Sequence, residues 1–245
     1  MLFETLERRG MLSVTVVEGY PGFYEVWGDD DPNVIQISVG MDDRTFSLDG
    51  QTYTNVNFIS VWSLGGDDLV NVHTASGYAT ISAVLHGGLG NDQLLLNFDG
   101  AVWGDDGDDT MLLSDAFRGE VHAGGGDDLA YMNGENIQAV VYGDGGHDVL
   151  NAGGNHHGID IYGGSGNDYI RGSQHADYLD GGNGRDTIEG GGGNDTLSGG
   201  NGDDRFYASF PDDELFVIGG DGYDELYNYH GTMTVYGVEE LYQLP

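Results

Sequence analysis

Aspartate recurs in this chain behind a glycine-rich turn. Five nine-residue units run without a gap from Gly163 to Tyr207: GGSGNDYIR, GSQHADYLD, GGNGRDTIE, GGGGNDTLS and GGNGDDRFY. Their sixth positions are Asp168, Asp177, Asp186, Asp195 and Asp204. Wider-spaced loops of the same kind place Asp68, Asp92, Asp109, Asp128 and Asp148 upstream and Asp224 downstream. Glycine at position one (Gly87, Gly104, Gly143, Gly163, Gly181, Gly190, Gly199 and Gly219), with others at two and four, lets the backbone turn sharply at positive φ. Such a turn gathers carbonyl oxygens, and the Asp adds a carboxylate. An all-oxygen donor set suits a hard cation. Calcium takes six to eight oxygens in tolerant geometry, whereas magnesium demands a tight octahedron. Transition metals favour imidazole or thiolate. One turn supplies too few oxygens, but two turns stacked one above the other can complete a calcium shell.

These units follow GGxGxDxUx, with U apolar, and so resemble the hemolysin-type (RTX) calcium-binding repeat. The resemblance implies a β-roll that holds several Ca2+ ions between loops of adjacent coils. It also implies export to the cell surface or the medium. Some loops depart from the pattern: GSQHADYLD lacks two of its three glycines, AGGGDDLAY has Ala123 at position one, and SLGGDDLVN keeps glycine only at positions three and four. His147 stands at position five of its loop.

Spacing gives the elements that must position the loops. Asp68, 92, 109, 128, 148, 168, 186, 204 and 224 are separated by 17 to 24 residues, close to two nonapeptides. Each coil is therefore expected to be ~18–20 residues, two strands and two turns. This sorts the loops onto two edges, one carrying those nine and the other only Asp177 and Asp195. Calcium is expected mostly along the first edge. Upstream, the second-edge turns are irregular: NFDGA (97–101), SDAFRGE (114–120), NGENIQ (133–138) and AGGNHHG (152–158). Position eight is apolar throughout, from Val70 and Leu94 to Phe206 and Leu226, and period-two alternation turns these residues inward as a core stack.

The expected fold is all-β, a right-handed parallel β-roll or β-helix over 63–207, with caps at both ends because an open coil exposes strand edges. Residues 13–62 read as short antiparallel strands forming an N-terminal cap or partial first coil, with Asp49-Gly50 as a hairpin turn. Residues 208–245 read as a last coil and strand-rich cap; Tyr207 at its border and Tyr223, Tyr227, Tyr229, Tyr236 and Tyr242 within it crowd this end. Residues 1–12 read as a leader or disordered terminus; LERRGML resembles the LEPR-x-L-L leader of large bacterial surface proteins.

Composition narrows the function. The chain of 245 residues carries 42 acids against 7 bases, a net charge of -35, and no Cys. That charge opposes compaction unless cations offset it. It disfavours nucleic acid, which needs clustered bases. No apolar run approaches the ~20 residues of a spanning helix. No catalytic constellation is evident, because the carboxylates sit in loops that commit them as ligands. The expectation is a secreted or cell-surface calcium-binding roll that folds on Ca2+ and acts as a structural or adhesion-type scaffold, not an enzyme. Cell-surface polysaccharide or an envelope protein would be its partner; a calcium-dependent polysaccharide-binding accessory module is the alternative.

Overall fold

The computed structural model describes residues 4–5, 14–40, 44–75, 79–114, 117–208, 214–227 and 232–242. The described strands form two 13-stranded sheets, and from Phe58–Trp62 onward they alternate between the two, so each pair of successive strands makes one coil. The tandem block shows the rule: Tyr169–Arg171, Thr187–Glu189 and Arg205–Tyr207 join one sheet, while Tyr178–Asn183 and Thr196–Asn201 join the other. We call the first sheet II and the second sheet I. Neighbouring coils pair in parallel and in register, for example Leu94 with Met111 and Leu179 with Leu197. The fold is the β-roll that the repeat spacing implied.

The core lies between the sheets. Every position-eight residue is fully buried, including Val70, Leu94, Met111, Ala130, Leu150, Ile170, Ile188, Phe206 and Leu226. Upstream coils bury a second apolar residue on the same strand, such as Leu96, Leu113 and Met132. In the tandem block Gly172 and Gly190 stand there instead, so these strands bury one apolar side chain rather than two. The irregular second-edge turns now have a physical reason. Phe98, Phe117 and Ile137 are buried in them, so apolar plugs fill the edge where the Asp loops are missing.

The N-terminal strands combine the two arrangements expected of them, antiparallel strands and a first coil. Thr15–Tyr20 and Phe23–Trp27 are antiparallel, as are Val34–Val39, Phe46–Leu48 and Gln51–Tyr53. However, Phe23–Trp27 pairs in parallel with Phe58–Trp62, and Val34–Val39 with Leu69–Thr74. The roll thus begins near Phe23, and the antiparallel strands are additions to its first coil. Asp49 and Gly50 make the hairpin turn at φ 49° and 78°. Glu4–Thr5, inside the expected leader, is a strand antiparallel to Thr15–Tyr20; LERRGML (6–12) lies outside the described residues.

At the other end, Thr232–Tyr236 and Glu240–Tyr242 continue the two sheets in parallel, as a further coil. The described tyrosines do not close over the core; Tyr223, Tyr236 and Tyr242 are exposed. Tyr207, Tyr227 and Tyr242 stack as a ladder on the outer face of sheet II, with centroids 5.1 and 4.7 Å apart; Tyr229 lies outside the described residues. A longer ladder on the outer face of sheet I runs Trp27, Trp62, His86, Trp103, His122, Tyr142 and Tyr162, with centroids 3.8–5.9 Å apart. It ties successive coils together along the axis. Sequence reasoning missed it because its successive members are 17 to 35 residues apart and of three different residue types.

Candidate metal centre

The loop begins with the conformation its glycines permit. Position four has positive φ in every first-edge loop, from 99° at Gly66 to 147° at Gly146. Its open side is also filled: a Cβ on Gly166 would sit 1.5 Å from the Gly146 carbonyl oxygen of the preceding coil. Position two is positive as well, but Leu64, Asp105 and Asp144 adopt it at 76°, 72° and 65°. The two aspartates reach back to the aromatic ladder: Asp105 Oδ2 lies 3.2 Å from His86 Nδ1, and Asp144 Oδ2 lies 3.2 Å from His122 Nδ1.

Position one is glycine for a different reason from the one its sequence suggested. It has no positive φ; what it provides is space. At Gly87, Gly104, Gly143, Gly163, Gly199 and Gly219, a Cβ would lie within 2.5 Å of two oxygens. One is Oδ2 of the loop's own Asp, and the other is the position-one carbonyl of the next coil. At Gly181 and Gly190 the nearest atom is Oδ2 of Asp186 or Asp195, at 2.3 and 2.6 Å. Ala123 shows that one loop accommodates a methyl group at this position.

The aspartates form a ladder. Oδ1 of each first-edge Asp accepts the backbone N–H of the position-six residue one coil earlier. The distances are 2.7 Å for Asp68 to Asp92, Asp92 to Asp109 and Asp109 to Asp128. They are 2.8–2.9 Å onward through Asp148, Asp168, Asp186, Asp204 and Asp224. All nine residues that spacing placed on this edge stand in that one row. Asn33 N–H bonds to Asp68 Oδ1, starting the row, and Asp224 N–H donates to Glu239 Oε2 at 2.8 Å, ending it. Sequence reasoning missed both ends. GDDDPN (28–33) ends in Asn where the repeat has Asp and has no glycine at position four, and Glu239 replaces Asp in a shortened turn.

The second carboxylate oxygen decides the chemistry. Oδ2 of all nine first-row aspartates is buried without a hydrogen-bond donor. An acceptor kept from both water and donors costs free energy unless a proton or a cation meets it. Burial is accordingly the leading cause of their raised pKa values, which reach about 8 for Asp109 and Asp148, about 7 for Asp128 and Asp204, and about 6 for Asp92 and Asp186. Asp68, Asp168 and Asp224 are raised for the same reason. Among the described residues no three His, Asp or Glu side chains converge on one point. A cation here would therefore take one carboxylate per loop and draw its remaining oxygens from backbone carbonyls. That donor set fits Ca2+ and not a transition metal.

The second edge differs. Ile159 N–H and Asp177 N–H donate to Oδ1 of Asp177 and Asp195, continuing the same pattern for a short stretch. Asp177 Oδ2, however, accepts the Ser173 N–H of its own loop at 2.6 Å, and Ser173 Oγ donates to Oδ1 at 3.0 Å. The donor that the first-row Oδ2 atoms lack is supplied here by the backbone N–H of Ser173, while its hydroxyl serves Oδ1.

A second ladder runs beside the first in the opposite sense. At position five, Asp67, Asn91, Asp108 and Asp127 each accept the N–H of the following coil at 2.8–3.0 Å. His147 takes the same role, its Nδ1 accepting the Asn167 N–H at 2.7 Å. It is an exposed ladder member.

Residues 140–156, 160–188 and 180–214 match the family model of the RTX calcium-binding nonapeptide repeat, in four copies. The chain thus carries RTX calcium-binding repeats, which imply calcium binding. The loops at Asp68, Asp92, Asp109, Asp128 and Asp224 lie outside the matched residues yet share the same hydrogen-bond ladder. No curated protein matches the chain.

Proposed function

We propose that this chain, whose loops are RTX calcium-binding repeats, is a secreted or cell-surface β-roll that folds on calcium and serves as a structural or adhesion-type scaffold rather than a catalyst. The observation that carries the reading is the single row of nine buried Oδ2 atoms without donors. Each ion would bind between successive first-edge loops, using their aspartates and turn carbonyls. Each would also offset two of the 35 excess negative charges. The second edge, with Asp177 satisfied by its own loop and apolar plugs upstream, contributes little to this binding. Ligand oxygens come from neighbouring coils, so the complete site exists only in the folded roll, and binding is coupled to folding. Calcium at extracellular levels would then act as the signal that folding is due, since modules of this kind commonly bind at ~10⁻⁴–10⁻³ M. Far-ultraviolet circular dichroism of the full chain tests the coupling. Excess chelator should remove β structure and added calcium should restore it; a spectrum indifferent to both would refute the coupling.

A further inference from the structure

The outer face of sheet II, from Val34–Val39 to Val149–Asn151, carries no Asp, Glu, Lys or Arg, and His73 is its one imidazole. Its central column is Gln36, Asn71, Leu95, Leu112, Tyr131 and Asn151, held in register by parallel pairing. The flanking columns are likewise without Asp, Glu, Lys or Arg, and include the exposed Leu129 on one side and Asn133 on the other. In a chain with 42 acids, six consecutive strands present an uncharged strip. Charge returns at the next strands, where Arg171 and Glu189 pair at 3.6 Å. Sheet I differs, with Glu25, Glu120, Asp160 and Asp180 among its outward residues. The depression there, about 520 Å³, is lined by Asp105, Asp106 and Asp144. The depression on sheet II, about 370 Å³, is lined by Asn71, Leu95, Leu112, Tyr131 and Asn133 together with His73.

We infer that this strip binds an uncharged, extended polysaccharide lying along the axis of the roll. The acidic surface around it would repel an anionic polymer, whereas a neutral one meets no opposing charge on the strip. Leu95, Leu112 and Tyr131 offer an apolar ridge for the C–H faces of sugars, with amide groups beside it for their hydroxyls. The side chains repeat at the strand spacing of ~4.8 Å, close to the length of one sugar in an extended glycan. Five such spacings by about five residues of strand give on the order of 400 Å², half of the ~800 Å² per partner that a stable protein interface needs. A narrow strip of this size suits a single polymer chain better than a folded protein.

The inference goes beyond the scaffold reading but requires the folded roll, so circular dichroism of the same calcium-containing samples separates failure to fold from failure to bind. Native affinity electrophoresis of the full chain in gels containing soluble β-1,4-glucan, β-1,3-glucan, mannan or xylan, with alginate for comparison, supplies the test. At least one neutral polymer should retard the folded chain, and alginate should not. Leu112→Asp and Tyr131→Ala should each weaken retardation at least fivefold. Ser198→Asp, on the opposite face, should leave it unchanged. The inference is overturned if no neutral polymer retards the folded chain, or if both strip variants are retarded like the wild type. It is also overturned if sedimentation shows a dimer that Leu112→Asp dissociates, which would make the strip a self-association face.

Discussion

Replacing Asp148 with Asn separates an ion ligand from a mere hydrogen-bond acceptor, because the two roles predict opposite effects in the absence of metal. Asn keeps an Oδ1 that can accept the Asp128 N–H, now 2.9 Å from Asp148. It replaces the donorless Oδ2 with an N–H donor beside the Gly163 carbonyl oxygen. Burial raises the Asp148 pKa to about 8, against ~3.9 in an unfolded chain. At pH 7 the metal-free fold must therefore hold a proton that the unfolded chain has released. That amounts to about three units at ~1.4 kcal/mol each, or at most about 4 kcal/mol of destabilisation that Asn removes. We expect Asp148→Asn to stabilise the metal-free roll by ~2–4 kcal/mol. In calcium, the same change deletes a ligand, so the calcium-dependent gain in stability should shrink by ~1.4 kcal/mol or more, a tenfold loss of affinity at one site. Urea unfolding at pH 7, in excess chelator and in excess calcium, reads both signs. Equal destabilisation in the two conditions would refute the reasoning, since Asp148 would then be only a rung of the ladder.

Acidity should act on the metal-free roll in the same direction. The raised pKa values of about 6 to 8 for Asp92, Asp109, Asp128, Asp148, Asp186 and Asp204 mean that the fold binds protons the unfolded chain does not. Stability without calcium should thus fall as pH rises from ~4 to 8, while calcium affinity rises over the upper part of that window; chelator melts and calorimetric titrations at pH 5.5, 7 and 8.5 check both slopes. Gly166→Ala, which forces a Cβ to within 1.5 Å of the Gly146 carbonyl at φ 134°, should cost ~3 kcal/mol or more and weaken calcium binding. Gly143→Ala should be milder in thermal melts, because Ala123 already occupies that position in another coil. Trp103→Ala, which removes a ring stacked 3.8 Å from His122, should lower stability by ~2 kcal/mol equally with and without calcium, marking the aromatic ladder as independent of the ions.

Much of the fold was legible because one short unit encodes a turn, a strand and an inward residue together. The spacing of Asp68 to Asp224 separated the two edges, and the structure places those residues in one row. The position-eight residues fill the core because alternation allows no other side of the strand to face inward. What stayed hidden depended on contacts between coils. Asn33 and Glu239 end the Asp row without matching its pattern, and the His86–Asp105 and His122–Asp144 pairs join residues 19 and 22 apart. The parallel pairing of Phe23–Trp27 and Val34–Val39 escaped detection because the hairpin at Asp49-Gly50 made its neighbourhood look antiparallel. Position one misled in a subtler way. Glycine there reads as backbone freedom, yet its conformation is ordinary, and its missing Cβ makes room for two oxygens.

The most direct test of a calcium row is a crystal structure of the chain grown with calcium, with ions located by anomalous scattering. The account predicts peaks in a single file along the first edge, each beside Oδ2 of an aspartate between Asp68 and Asp224 and bounded by turn carbonyls of two successive coils. Loops free of ions in saturating calcium, with the Oδ2 atoms still donorless, would contradict it, as would ions gathered at Asp177 and Asp195 instead.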